Sequence, residues 1–244
     1  MRSIRSTLFN VFFIGWTVFL LSTLWLLIPL SRRVFRGSIA LWPCGTFPLM
    51  HHILGLTFEQ RGLENIPNGP VIFAAKHQSA WDTMYFLWRD QNSAYIMKEE
   101  LNRIPFWKWY MSKCQHVVVD RSGGTSAMRK MISDTQDILA DGRSVVIFPE
   151  GTRTAPGETH RYHPGIAALY TQTTATIVPV ALNSGIFWGR RQFFKKPGKL
   201  TIQFLPPIPK KLERKAFMSE LKNRIETATR KLEEEALITL STNE

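Results

Sequence analysis

The chain has 244 residues, room for one α/β domain and a short appendage. Its 31 Lys and Arg exceed its 19 Asp and Glu, and the net charge of +12 points to an anionic partner: nucleic acid, an anionic membrane surface or a phosphorylated substrate. The two cysteines, Cys44 and Cys114, stand in no CxxC or metal-ligand spacing, which argues against a disulfide framework and for a reducing compartment.

Residues 8–30 contain no charged side chain. As a helix this run is about 34 Å long, enough for a hydrocarbon core of ~30 Å. Arg2 and Arg5 precede it, and Arg32, Arg33 and Arg36 follow it. A cleaved signal peptide is the competing reading, with Ser38, Ile39 and Ala40 as a small-residue site. The run's length, and the three arginines before Ala40, weigh against it. Residues 39–58 form a weaker apolar stretch interrupted by Pro43, Gly45, Pro48, His51 and His52. It reads equally well as a limb returning through the membrane interface and as a soluble helix covering the rest of the chain.

Beyond Phe58 the pattern changes to alternating strands and helices. Strands are predicted over 71–75, 94–97, 117–119, 145–148, 177–181 and 200–205. Helices are predicted over 79–88, 105–113, 125–140 and 164–171, and such alternation predicts an α/β sheet covered by helices. Residues 211–236 read as a charged surface helix with an apolar stripe of Leu212, Phe217, Leu221, Ile225 and Leu232. Its mixed charges are expected to be solvated. The chain thus divides into a membrane-anchoring helical motif, residues 1–58, and an α/β domain, residues 59–244.

Two constellations carry chemistry. His77-Gln78-Ser79-Ala80-Trp81-Asp82 follows a predicted strand. On one helix, residues five apart point about 140° away from each other, so His77 and Asp82 meet only if His77 sits in the strand-to-helix turn. There the carboxylate would fix the imidazole tautomer and leave the other ring nitrogen to take a proton from a hydroxyl. In isolation the pair reads as readily as a packing His and a helix-start Asp. The second constellation, Pro149-Glu150-Gly151-Thr152-Arg153-Thr154, leaves an apolar strand where ligands of open α/β sheets bind. A Gly beside hydroxyls and an Arg suits an anion.

At these blocks the sequence resembles the HxxxxD glycerolipid acyltransferases: HQSAWD matches HxxxxD and FPEGTRT matches FPEGTR. Lys98-Glu99-Glu100-Leu101, Ile104-Pro105-Phe106 and Val119-Asp120-Arg121 resemble a second block, and Ile177-Val178-Pro179-Val180 resembles a fourth, a VPV strand. The blocks keep the family's order over residues 71–181. The whole chain is similar to the small bacterial 1-acylglycerol-3-phosphate acyltransferases, although Trp107 stands where that block often has Gly, which puts local packing in question. The resemblance implies a mixed sheet flanked by helices, with His77 as general base and Asp82 as its orienting partner. Lys98, Arg121 and Arg153 would hold an acceptor phosphate beside Thr152, Glu150 would order the site by pairing with a basic residue, and Gly151 would offer a backbone amide.

The implied reaction moves an acyl group from acyl-CoA or acyl carrier protein to the sn-2 hydroxyl of 1-acylglycerol-3-phosphate, with no metal and no cofactor. Both donors are cytoplasmic, so the catalytic domain is expected on the cytoplasmic face of a membrane, the inner membrane of a bacterium. Basic and aromatic residues over 187–196 add a surface for anionic lipid, and no RNA-binding signature supports nucleic acid. Another lyso-lipid acceptor, such as lyso-ornithine lipid, thioester hydrolysis and a non-catalytic membrane tether are the rivals. Arginines flank the first apolar run on both sides, which favours a hairpin held in one leaflet over a single crossing.

Overall fold

In a computed structural model of the chain, residues 2–104, 107–120 and 122–242 are described. Arg121, Pro105 and Phe106 lie outside them. The first apolar run is helical from its first described residue: α1 spans Arg2–Thr23, and a 3-10 turn, Leu24–Leu27, ends it before Pro29. Among the described residues one helix, Ser3–Leu27, is long and apolar enough to cross a membrane. The weaker stretch after it is broken into separate elements. Ser31 caps α2 (Arg32–Ile39), α3 (Leu41–Leu49) follows, and a π-helical turn, Met50–Leu54, stops at Gly55 with φ 66°.

Strand β1, Leu56–Arg61, then begins the sheet, so the expected boundary after residue 58 falls inside a strand. This strand was not anticipated. It carries few apolar residues, and it exists because β7, far away in sequence, pairs with it. The other elements fall close to expectation: β2 (Val71–Ala75), α4 (Ala80–Arg89), β3 (Ala94–Lys98), α5 (Trp107–Cys114), β4 (Val117–Val119), α6 (Gly124–Ala140) and β5 (Val145–Ile147). After them come α7 (Gly165–Gln172), β6 (Thr176–Leu182), the short α8 (Ser184–Phe187), β7 (Gly198–Phe204) and α9 (Arg214–Ser241).

The strands form one seven-stranded sheet in the order β1-β7-β6-β2-β5-β3-β4. Neighbours are parallel except β6 and β7, which makes the sheet mixed, as expected. Central β2 is buried on both faces. Its side chains alternate: Val71, Phe73 and Ala75 join one core with α4 and the N-terminal helices, and Ile72 and Ala74 join the other with α6, α7 and α9. Trp107 starts α5 and packs against the cluster of Leu20, Leu24 and Tyr110, so the departure from Gly there makes a contact with the end of α1.

The N-terminal helices are built onto the domain. Phe9 and Phe13 meet the Trp188 ring edge-on, each at 5.2 Å, and Phe47 lies 6.1 Å from buried Trp81 of α4. Trp16 of α1 donates to the Trp42 carbonyl at 3.2 Å and packs against Gly45 of α3, where a Cβ would come within 2.5 Å of the indole. The opposite face of α1 leaves Leu8, Val11, Phe12, Val18 and Phe19 exposed.

The Gly45 contact yields a prediction. Gly45→Ala forces the Trp16 ring or the two helices apart, at a cost of about 1–3 kcal/mol. At roughly 2–4 °C per kcal/mol for a chain of this size, the melting temperature falls by several degrees. A variant that melted with its parent, followed by circular dichroism in the same detergent, would show that the contact is not tight.

Candidate active site

Strand β2 ends at Ala75, and the next four residues form the turn into α4. Ser79 caps that helix, its Oγ accepting from the Trp81 amide at 3.2 Å, while Asp82 in the first turn reaches back to the Ser79 amide at 2.8 Å. This geometry puts His77 in the turn rather than on the helix, the one arrangement in which His77 and Asp82 can meet. His77 Nδ1 lies 2.9 Å from Asp82 Oδ2. Asp82 is fully buried and also accepts from the Gln78 amide at 2.7 Å and from Ser184 Oγ at 2.5 Å.

An ionised carboxylate can only accept, so against one Nδ1 is the donor, and the neutral tautomer that donates there presents its lone pair at Nε2. The imidazole stacks on Phe148 with ring centres 4.0 Å apart and borders a cleft of about 610 Å³. Two sides of the ring are therefore fixed, by a carboxylate and by an aromatic face.

The second constellation leaves β5, which pairs in parallel with β2 and so ends at the same edge of the sheet. The Thr154 amide donates to the His77 carbonyl at 2.8 Å, and the His77 amide donates to Glu150 Oε2 at 3.1 Å. The two motif turns are thereby joined through their backbones. Thr152 and Arg153 line the cleft with His77, as do Lys98 from the end of β3 and Arg190 from the loop after α8. Burial holds the Arg153 guanidinium below its ordinary pKa, and Arg190 lowers it further. Asp120 also lines the cleft, but Lys98, Arg153 and Arg190 outnumber it, and that excess of positive charge suits an anion. Arg121, expected here, is outside the described residues.

Gly151 departs from expectation. Its amide donates to the Phe148 carbonyl at 2.8 Å, so the N–H expected to face substrate is already engaged in the turn. The contribution of Gly151 is its φ of 64°, which a side chain would strain. Glu150 does pair with a basic residue, and that residue is Lys76. Lys76 is fully buried, with Nζ 2.6 Å from Glu150 Oε1 and 2.9 Å from Glu226 Oε2. Burial pushes the Glu150 carboxyl upward, against the pull of Lys76. Tyr162 donates its hydroxyl to Glu226 at 3.0 Å, and burial and the Glu226 charge raise that phenol.

Glu226 corrects the expectation that the charges of α9 are solvated. Both Glu226 and Glu233 are buried, each one position beyond the stripe residues Ile225 and Leu232. Seven-residue spacing beside an apolar stripe was the available signal. Sequence reasoning also missed Lys76, hidden at the end of an apolar run, and Ser184, which lies in no motif; Arg190, read as part of the lipid-facing patch 187–196, lines the cleft. Among the described residues no group of three or more His, Cys, Asp or Glu could hold a metal.

The pattern of the acyltransferase family matches residues 57–183, more than half of the chain and both motif turns. The chain belongs to the acyltransferase family. A Pseudomonas aeruginosa protein named 1-acyl-sn-glycerol-3-phosphate acyltransferase is 30% identical over 200 residues, covering 82% of this chain and 77% of the relative. A yeast protein of the same name, from Saccharomyces cerevisiae, is 28% identical over 167 residues, covering 66% of this chain and 55% of its own length. The crystal structure of the Thermotoga maritima 1-acyl-sn-glycerophosphate acyltransferase PlsC superposes with a TM-score of 0.74 over 95% of this chain and 98% of that one; at 23% identity it shares the fold. In this acyltransferase the matched stretch ends before α9, so Glu226 and Glu233 lie outside it.

Removing one member of a buried ion set leaves uncompensated charge, which costs about 3–5 kcal/mol, whereas removing every charge costs little. Lys76→Met is therefore expected to lower the melting temperature sharply. The triple variant Lys76→Met, Glu150→Gln, Glu226→Gln is expected to recover most of the loss. A Lys76→Met protein that melts with its parent would mean the triad contributes nothing to stability.

Proposed function

We propose that this acyltransferase moves an acyl group from acyl-CoA or acyl carrier protein to the sn-2 hydroxyl of 1-acyl-sn-glycerol-3-phosphate, giving phosphatidic acid. The observation that carries the reading is His77, held by Asp82 at 2.9 Å, beside a cleft lined by Lys98, Arg153 and Arg190. The names of the bacterial and yeast relatives support the same acceptor.

In this reading His77 Nε2 takes the proton of the acceptor hydroxyl as that oxygen attacks the thioester carbonyl carbon. Asp82 stabilises the imidazolium that forms. The tetrahedral intermediate collapses, the carbon–sulfur bond breaks, and the leaving thiolate takes the proton back from His77. Arg153, with Lys98 and Arg121, holds the acceptor's phosphate through charge-assisted hydrogen bonds. No acyl-enzyme intermediate is required.

His77→Ala is expected to lower kcat by about 10²–10⁴ while the circular dichroism spectrum stays that of the parent. Arg153→Ala is expected to raise the KM for 1-acyl-sn-glycerol-3-phosphate and leave that of the acyl donor within about threefold, since a lost charge-assisted contact costs about 1.5–3 kcal/mol. Turnover by His77→Ala above a tenth of the parent's would remove the base assignment. A rise in donor KM alone would move the phosphate site to the donor's side.

We further propose that residues 1–58 anchor the enzyme in one leaflet, the cytoplasmic leaflet of a bacterial inner membrane. Both ends of α1 are tied to the domain: Ser6 accepts from the Lys195 amide at 3.0 Å, and the Tyr110 hydroxyl donates to the Leu21 carbonyl at 2.6 Å. A helix so held cannot cross a ~30 Å core unless the domain enters it too. Arg5 donates to the Ile53 carbonyl at 2.5 Å, so the start of α1 and the end of the π-helical turn share one side of the helical unit. The exposed apolar face of α1 then enters lipid, and exposed Phe193 and Phe194 lie on the same basic loop as Arg190, Arg191 and Lys196.

A Ser3→Cys, Cys44→Ser protein tests the anchor, because the remaining Cys114 is buried. A membrane-impermeant maleimide is expected to leave it unlabelled in intact cells and to label it after lysis. Labelling of intact cells would place the N-terminus outside and leave the catalytic reading standing.

A further inference from the structure

The residues on either side of His77 both end on α9. Lys76 binds Glu226, and Gln78 Nε2 donates to Glu233 Oε1 at 2.5 Å. Positions 226 and 233 are two helical turns apart, so they occupy nearly one face of α9 and rise together beside the turn that carries His77. Both carboxylates are almost fully buried, with Glu226 4% and Glu233 6% exposed. A buried carboxylate is retained only where its oxygens are matched by donors.

Each polar atom of the Gln78–Glu233 pair has one partner. Gln78 Oε1 accepts from the Gly185 amide at 3.0 Å, and Glu233 Oε2 accepts from the Gly157 amide at 3.0 Å. Gly185 follows Ser184, whose hydroxyl holds Asp82 Oδ1, while the Gln78 amide holds Asp82 Oδ2. The side chain of Gln78 therefore connects α9 to the α8 segment beside Ser184, and its own backbone amide is the other group that holds Asp82. Gly157 lies in the loop that continues from the second motif. One carboxylate on α9 is thus linked to the histidine turn, the aspartate's second support and the loop beyond Arg153.

We propose that Glu233, acting through Gln78, with Glu226 acting through Lys76, makes α9 the positioning element for His77. The proposal rests on the reading of His77 as the base. Neither carboxylate touches substrate; both set where the imidazole stands. A base displaced by about 1 Å from its proton loses on the order of 10²-fold in rate, so a small relaxation of this turn is visible in kcat.

The Gln78–Glu233 pair allows a test by exchange. In Glu233→Gln the new amide turns its NH₂ toward either the Gln78 NH₂ or the Gly157 N–H, donor against donor, with the same shape. In the double variant Gln78→Glu, Glu233→Gln all three hydrogen bonds return: Glu at 78 accepts from Gly185 and from the amide at 233, whose oxygen accepts from Gly157. The formal charge of the pair is also restored.

The experiment measures kcat, and KM for 1-acyl-sn-glycerol-3-phosphate and for an acyl-CoA, on the full chain in detergent. Glu233→Gln is expected to lose roughly 10–100-fold in kcat with both KM values within about threefold, and the double variant to recover to within about fivefold of the parent. Gln78→Met removes the same link from the other end and is expected to show the same kcat loss, which keeps the test open if Glu233→Gln folds poorly. Glu235→Gln, which breaks only the exposed pair with Arg61, is the control and leaves kcat unchanged. Parent-like kcat in Glu233→Gln and Gln78→Met overturns the proposal. So does a double variant no better than Glu233→Gln, since Glu233 would then act by some route other than Gln78. Activity retained in His77→Ala would instead overturn the base assignment.

Discussion

A lysine with no exposed surface holds this structure together. Removing an ammonium from water is costly unless opposite charge and hydrogen-bond acceptors replace the solvent. Lys76 receives both from Glu150, Glu226 and the Glu158 carbonyl, the last at 3.2 Å. Those partners come from the turn after β5, the loop beyond it and α9, so one buried cation joins three distant parts of the chain. It does so one residue before His77. The ion set need not add net stability, since an apolar replacement of equal volume can do as well. What it imposes is arrangement: the turn after β2 cannot shift without exposing or unpairing a buried charge.

The sheet supplies the rest of the arrangement. Strands β2 and β5 are neighbours and parallel, with Ile72 opposite Val145 and Ala74 opposite Ile147. Parallel neighbours release their following turns at the same edge, which is why ligands of such sheets gather there. His77 and Glu150 stand far apart in sequence, yet the His77 amide reaches the Glu150 carboxylate and the Thr154 amide reaches the His77 carbonyl. The cleft borders this junction, with the imidazole on one wall and Arg153 and Arg190 beside it. Chemistry and anion binding are two products of one packing decision.

The N-terminal helices follow the same economy. The face of α1 that carries Ser6, Phe9 and Leu20 packs on the domain, and the other face is apolar and exposed. A helix with apolar residues on both faces, only one of them covered, has its remaining face matched to an apolar medium. The same helix meets Lys195, whose side chain bonds Asn10 and the carbonyls of Gln192 and Phe193. The loop that brings Arg190 to the cleft is thereby fastened to the element proposed to lie in lipid.

Sequence alone determined whatever depends on near neighbours. Apolar periodicity located six of the strands because buried strands show it directly, and HQSAWD and FPEGTR are each one contiguous run, so their residues are legible as blocks. The spacing of His77 and Asp82 even stated the condition for their contact. What the sequence left undecided required partners brought from afar. Strand β1 exists by pairing with β7, and its own residues carry little signal. Glu226 and Glu233 sit among many solvated charges on a mixed helix, and their spacing beside the apolar stripe marks them without deciding that they are buried. That choice belongs to the tertiary structure, because a carboxylate is worth burying only where donors from other segments, here Lys76, Gln78, Tyr162 and Gly157, converge on it.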